Sequence, residues 1–151
     1  MIANDTALLK VQNLWKKFGD VVAAREVSFD VPKGSVISLL GPSGCGKTTT
    51  LRCIAGLDSP NAGVITIGGT KVNDVAGGIE LPPEKRSIGM VFQSYAVWPH
   101  MTVFQNVSFP LRFNKKKNGG NIREKVHNTL SLVGLADFAD RPSTNLSVVL
   151  Q

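Results

Sequence analysis

The chain has 151 residues, of which 42% are hydrophobic, enough to bury the core of one ordinary domain. No window approaches about 18 uninterrupted apolar residues, which excludes a transmembrane helix, and the N-terminus lacks the layout of a signal peptide. We therefore expect a cytosolic protein, in which Cys45 and Cys53 are reduced thiols without metal-ligand or CxxC spacing.

Positive charge is concentrated in one stretch of the chain. The formal net charge is +6, and residues 112–125 hold six basic residues and one acidic residue. The polar, glycine-rich segment 114–120 within this stretch is typical of an exposed turn. A nucleic-acid site would interleave aromatic residues with the charges, and only Phe113 lies nearby, so we predict no nucleic-acid partner.

Hydrophobic patterning predicts strands in the first two thirds of the chain, at residues 8–14, 26–31, 35–40, 64–67 and 88–92. The first two alternate apolar and polar residues, as half-buried strands do. The third, SVISLL, is a nearly continuous apolar run, which predicts a strand covered on both faces. Between the last two lies a turn-rich stretch from Gly68 to Pro83.

Three helices are predicted from spacing and end signals. The segment TTTLRCIAGL, residues 48–57, has helical apolar spacing with a glycine near its end. Residues 102–105 and 121–124 fit capping boxes that begin two later helices. Pro110 should stop or kink the first of these. The apolar face and the end of the second helix are marked by Ile122, Val126, Leu130, Val133 and Gly134.

The chemistry is carried by GPSGCGKT, residues 41–48, which fits the pattern G-x-x-x-x-G-K-[ST] without a mismatch. Its three glycines let the backbone turn tightly enough to aim several N–H groups at phosphate oxygens. Lys47 should reach the β- and γ-phosphates, and Thr48 offers a hydroxyl to Mg²⁺. A chance match in an ordinary turn is the alternative, and the predicted strand before the motif and helix after it favour phosphate binding.

Four stretches of the chain carry a family resemblance: residues 14–69, residues 81–112, the helix up to LVGL, and RPSTNLS at residues 141–147. Together they resemble the ATP-binding subunit of ATP-binding cassette (ABC) transporters. They look most like the importer subunits for ferric iron, spermidine/putrescine, maltose and related solutes. The LPPEKR and QSYAVWPHMTVFQNV segments are most similar to the iron and polyamine importers. The transported solute itself is not readable from this chain.

The resemblance implies an α/β fold built on a P-loop NTPase core. An N-terminal antiparallel β part and this core would occupy residues 1–93, and the start of a helical subdomain would occupy residues 94–151. The fold would be incomplete at the C-terminus. The implied cofactors are ATP and Mg²⁺.

Carried over position by position, the resemblance implies that Phe18 stacks on the adenine ring. Gln93 would contact Mg²⁺ or the attacking water, so that Lys47 and Gln93 would be catalytic and Thr48 and Gln93 would hold the metal. A core aromatic and an ordinary glutamine remain the alternatives for Phe18 and Gln93. The implied phosphate-binding residues are Gly41, Pro42, Ser43, Gly44, Cys45, Gly46, Lys47, Thr48 and Thr49.

The implied partners are the transmembrane permease subunits of an importer, with the chain peripheral on the cytoplasmic face of the membrane. In the family, the segment after the glutamine receives a helix of the permease, and here that segment is Ser94–Met101. Tyr95, Trp98 and Pro99 supply its apolar surface, although Trp98 could equally fill a local core.

The family's signature, Leu-Ser-Gly-Gly-Gln, binds ATP held by a partner subunit in a homodimer. Here Val148 and Val149 follow Leu146-Ser147, and their β-branched side chains prevent the close backbone approach that glycine allows. The family's Asp-Glu strand and histidine also have no counterpart, because no acidic residue follows Asp140. We therefore expect a truncated chain that binds ATP, neither forms the ATP-bridged homodimer nor hydrolyses ATP alone, and is marginally stable because SVISLL lacks partner strands.

The sequence is compatible with three functional hypotheses. An importer ATPase subunit is favoured. A nucleotide-binding or interaction module that docks on membrane subunits without hydrolysing ATP is the second. A different P-loop enzyme, such as a GTPase or small-molecule kinase, is the third, and Phe18, Gln93 and the LPPEKR segment argue against it.

Overall fold

The computed structural model describes residues 7–92, 96–113 and 121–146. The chain divides into two compact units, Met1–Met90 and Val91–Gln151, here called the N-terminal unit and the C-terminal unit. Each has its own cluster of buried apolar side chains among the described residues.

The described strands lie in the N-terminal unit: β1 (Ala7–Phe18), β2 (Val21–Pro32), β3 (Ala62–Ile67), β4 (Thr70–Asp74) and β5 (Ile79–Glu80). They form one antiparallel sheet in the order β2-β1-β3-β4-β5. The strands predicted at 8–14, 26–31 and 64–67 are confirmed. The turn-rich stretch from Gly68 to Pro83 also contains β4 and β5, which were not predicted because both strands are short and largely polar.

Helix α1 (Lys47–Ala55) packs on this sheet, as the helical spacing of the sequence predicts. Cys53 and Ile54 from the helix are buried against Val11, Leu14 and Ile65 from the sheet, and burial raises the pKa of the Cys53 thiol. The helix stops where Gly56 adopts φ +78°, the left-handed conformation that favours glycine at a helix end. The core thus fixes the helix whose first turn follows the glycine-rich loop.

The prediction of a doubly covered strand at residues 35–40 is wrong. This segment has no regular secondary structure, and the side chains of Val36 and Leu40 are 95% and 91% exposed. An apolar run forms a strand only where a neighbouring backbone completes its hydrogen-bond ladder, and none of the described strands pairs with this segment. The strand predicted at 88–92 is wrong for the same reason, with Val91 98% exposed.

The C-terminal unit packs helices α2 (Val103–Phe113) and α3 (Ile122–Leu132) around Val103, Val126, Leu130 and Leu146. Short 3-10 turns lie at Pro83–Lys85 in the N-terminal unit and at Ala136–Phe138 and Ser143–Asn145 in this one.

The start of α2 is confirmed, and of the two effects expected of Pro110 the stop is wrong. The capping box is present, since the Thr102 N–H donates to Gln105 Oε1 at 2.9 Å and the Gln105 N–H donates to Thr102 Oγ1 at 3.2 Å. Pro110 does not stop the helix, which continues for one further turn to Phe113.

Helix α3 begins and ends at the predicted signals. The Arg123 N–H donates to Asn121 Oδ1 at 3.1 Å, and Gly134 has φ +71° beyond the last turn. Val133 does not belong to the apolar face, because the helix ends at Leu132 and leaves Val133 exposed. In the part of the chain that the structure describes, no helix combines the length and apolar character needed to span a membrane.

Candidate functional site

The glycine-rich loop joins the extended segment 35–40 to helix α1. Residues 41–45 are exposed, Gly46, Lys47 and Thr49 are half-buried, and the Thr48 side chain is exposed. The predicted phosphate-binding residues therefore form one continuous, solvent-accessible surface at the start of a helix.

Gly46 fixes this loop against strand β2. It has φ +90°, and a Cβ atom on it would lie 1.9 Å from the Ala23 carbonyl oxygen. Its own carbonyl accepts the first helical hydrogen bond, from the Thr50 N–H at 2.8 Å. Only glycine allows the chain to enter α1 at this distance from β2, so the loop geometry depends on this residue type.

Lys47 places its positive charge inside the loop. Its Nζ donates to the carbonyl oxygens of Gly41 at 2.8 Å and Pro42 at 2.7 Å, and it lies 3.3 Å from Cys45 Sγ. The loop backbone thus curls around an ammonium group. A phosphate oxygen offers the ammonium a stronger, charge-assisted acceptor than these neutral carbonyls do.

The N-terminus of α1 is open to an anion. Its cap, Gly46, offers no side-chain acceptor, and the first turn contains no acidic residue. The unpaired N–H groups and the positive end of the helix dipole therefore face the loop without a negative charge to neutralise them.

The C-terminus of α1 is held by two arginines. Arg52 Nε donates to Asp58 Oδ2 at 2.7 Å, and this bond holds the pKa of the Asp58 carboxyl below its usual value and raises the pKa of Arg52. Arg86 is 2% exposed and donates from Nη1 to the carbonyl oxygens of Cys53 at 2.7 Å and Ile54 at 3.0 Å. Both cations lie where the helix dipole is negative and so stabilise the helix that carries the loop.

Arg86 is a functional candidate that no sequence motif identifies. Its Nε also donates to the Leu81 carbonyl oxygen at 2.7 Å, so the side chain connects the segment after β5 to the back of α1. Burial is the larger influence on its pKa and lowers it, while the charge of Glu80 raises it. The acceptors of Nη1 lie more than 30 residues earlier in the chain, a separation that a local sequence pattern does not reveal.

Phe18 lies outside the apolar core, at the end of β1. Its side chain is 49% exposed, and it pairs with Val21 across the β1–β2 turn. An open cleft of about 340 Å³ begins at the next residue, Val22, and extends along β2 to Gly44 and Cys45 of the loop. The cleft therefore joins β2 to the phosphate loop, and Phe18 lies near its β2 end without being one of the described residues that line it.

The remaining predicted functional residues are Gln93 and the segment Ser94–Met101. Gln93, Ser94 and Tyr95, together with everything from Ser147 onwards, lie outside the described residues. Trp98 is 50% exposed, as an interface residue would be. It also packs locally, as a core residue would, with its ring centroid 5.9 Å from that of Phe109.

The residues present fit a phosphate group better than an isolated metal ion. The described residues contain no cluster of three or more His, Cys, Asp or Glu side chains that could hold a cation. Thr48 offers one exposed hydroxyl, while Mg²⁺ takes about six oxygen ligands, commonly from substrate phosphates and water. A magnesium ion at this loop would therefore arrive with a phosphorylated ligand.

The sequence is similar to known import proteins. Residues 24–149 match a family model described as ABC transporter. The chain is 48% identical over 139 residues to the trehalose/maltose import ATP-binding protein MalK of Thermococcus litoralis, covering 92% of this chain and 37% of the relative. It is 44% identical over 142 residues to the spermidine/putrescine import ATP-binding protein PotA of Legionella pneumophila, covering 94% and 37%. The chain therefore spans little more than a third of the length of these relatives.

A solved structure shares the fold. It is described as the dimeric structure of a post-hydrolysis state of the ATP-binding cassette MJ0796 bound to ADP and Pi. The match has a TM-score of 0.75 and 31% sequence identity, and it covers 92% of this chain and 63% of that one. The predicted α/β class, with an antiparallel β part and helices, is thereby confirmed.

Proposed function

Because the chain belongs to the ABC transporter family, we propose that it binds MgATP through residues 41–49 and serves as the energy-coupling subunit of an importer. The observation that carries the proposal is the position of Lys47, whose ammonium lies 2.7 to 2.8 Å from two loop carbonyls at the acid-free start of a helix. This combination of charge and open N–H donors suits a polyphosphate.

Each part of the site has a proposed role. Lys47 exchanges its loop carbonyls for oxygens of the β- and γ-phosphates, and the N–H groups of Gly44 and Gly46 hold the same phosphates. Thr48 and Gln93 are the proposed ligands of Mg²⁺, which when bound neutralises charge between the phosphates. The half-exposed ring of Phe18 supports the adenine.

The proposed partners are ATP and the permease subunits of an importer at the cytoplasmic face of a membrane. The import names of the relatives support this role, and the apolar segment Ser94–Met101 is its proposed contact. The names of the relatives give different transported solutes. We propose ferric iron or a polyamine as the solute from the LPPEKR and QSYAVWPHMTVFQNV segments alone. We propose that Val148 and Val149 prevent an ATP-bridged homodimer.

A second candidate is a module that binds nucleotide without hydrolysing it. Two cavities border the loop, of about 340 Å³ and 310 Å³, and neither has an Asp or Glu among the described residues that line it. A carboxylate that activates water is therefore not placed beside the loop by this part of the chain. Nucleotide binding without Lys47-dependent turnover would support this candidate.

The test is the affinity for MgATP and for a non-hydrolysable analogue, measured by titration calorimetry beside ATP turnover. Lys47→Ala is expected to weaken binding about tenfold to a hundredfold, because it removes charge-assisted hydrogen bonds to phosphate. Lys33→Ala, at an exposed lysine between β2 and the loop, is the matched control and should bind as the wild type does. Equal affinity in wild type and Lys47→Ala would contradict the proposal.

A further inference from the structure

Lys16 makes two contacts that tie the end of strand β1 to the turn before β3. Its Nζ lies 4.6 Å from the centroid of the Phe18 ring, and the same Nζ donates to the Ser59 carbonyl oxygen at 2.7 Å. The ammonium is therefore held between an aromatic face and a backbone acceptor. Neither contact belongs to the phosphate loop.

Strand geometry explains why these two side chains meet. Residues two apart in a strand project from the same face, so Lys16 and Phe18 are neighbours on one face of β1. The intervening residue is fixed separately, because the Lys17 N–H donates to Asn61 Oδ1 at 2.8 Å. The Asn61 N–H donates to the Trp15 carbonyl oxygen at 2.8 Å. The turn therefore holds the backbone on both sides of Lys16.

The Phe18 ring needs such support to act as a platform. It is half exposed at the last residue of the strand, outside the apolar core, so core packing does not set its orientation. A cation over one face of an aromatic ring is attracted by the ring quadrupole and restricts the ring's rotation. The anchored ammonium therefore occupies one face of a half-exposed ring.

We propose that Lys16 is a positioning residue for the nucleotide base, holding the Phe18 ring by one face so that a purine stacks on the other. The inference rests on the proposed function, because it assumes that a nucleotide occupies the phosphate loop. It adds that base recognition depends on a lysine that touches neither phosphate nor metal. Affinity for the base and affinity for the phosphates should therefore be separable.

The experiment compares MgATP with magnesium tripolyphosphate, which has the phosphates but no base, by calorimetry on the full chain. Lys16→Met should weaken MgATP binding about twofold to fivefold and leave tripolyphosphate binding unchanged. Lys16→Arg should retain MgATP affinity, since a guanidinium also stacks on aromatic rings. Lys17→Met is the matched control, on the neighbouring exposed residue, and should change neither affinity.

A double-mutant cycle shows whether Lys16 acts through Phe18. In a Phe18→Ala background, Lys16→Met should have no further effect on MgATP affinity. An equal loss for both ligands, or the same loss with and without the ring, would assign Lys16 a purely structural role and overturn the inference. If wild type binds neither ligand, the phosphate-loop proposal itself fails. If wild type binds both and Lys16→Met changes neither affinity, only the Lys16 inference fails.

Discussion

Gly46→Ala is expected to lower the free energy of unfolding of the N-terminal unit by about 4 kcal/mol, the combined cost of a strained backbone and an overpacked contact. The new Cβ would lie 1.9 Å from the Ala23 carbonyl oxygen and 3.0 Å from the carbonyl carbon. Both atoms belong to strand β2, which is fixed by its pairing with β1, so the loop must move away instead. Nucleotide affinity should fall with stability, since the displaced loop no longer presents its N–H groups to one point.

Gly44→Ala is the matched control for this effect. Gly44 also has a left-handed φ, +81°, but a Cβ atom there would meet nothing within 4 Å. Its cost should be the conformational one alone, about 1 to 2 kcal/mol. Urea unfolding can follow the N-terminal unit through Trp15 fluorescence if the other tryptophan is removed by Trp98→Phe. Equal losses for the two substitutions would contradict the role assigned to the contact with β2.

Arg86→Met should destabilise the same unit by about 4 kcal/mol, because it removes a buried guanidinium that donates to three backbone carbonyl groups. The carbonyl oxygens of Cys53, Ile54 and Leu81 all accept hydrogen bonds from this guanidinium. Methionine keeps most of the apolar volume, so the loss reports on the hydrogen bonds and charge rather than on a cavity.

The control for Arg86 is Arg25→Met, which removes an exposed arginine stacked 5.3 Å from the Trp15 ring centroid. An exposed cation–π contact contributes about 0.5 to 1 kcal/mol, so this loss should be several times smaller. Because Arg25 contacts the fluorescent probe, circular dichroism should monitor both unfolding curves. Similar losses for the two variants would show that Arg86 does not hold the end of α1 as described.

The strands that sequence patterns predict correctly are those whose partners lie nearby. β1 and β2 form a hairpin around a two-residue turn, so alternation alone locates them. The run at 35–40 shows the opposite case. Its composition reports a tendency to be buried and says nothing of whether a neighbouring strand is available, and Val36 and Leu40 are exposed here. The failure therefore lies in the tertiary context and not in the local propensity.

The residues of the candidate site also differ in whether a local sequence pattern can find them. The loop and the first turn of α1 are local in sequence, so a motif of eight residues locates Gly46, Lys47 and Thr48 together. Arg86 escapes such patterns because its acceptors are distant, and Lys16 escapes them because the carbonyl that anchors its ammonium lies 43 positions later. An arginine or lysine in sequence indicates only a charge, and burial or an aromatic neighbour becomes visible when strands and helices are assembled.

We propose that residues 41–49 bind the phosphates of MgATP, with Lys47 leaving the loop carbonyls to do so. Amide NMR spectra of the isotope-labelled full chain, titrated with a non-hydrolysable MgATP analogue, test this most directly. We predict that the largest chemical-shift changes fall on the amides of Gly44, Gly46, Lys47 and Thr48, and that Lys47→Ala strongly reduces them. Saturable changes centred elsewhere, with the loop amides unmoved, would contradict it.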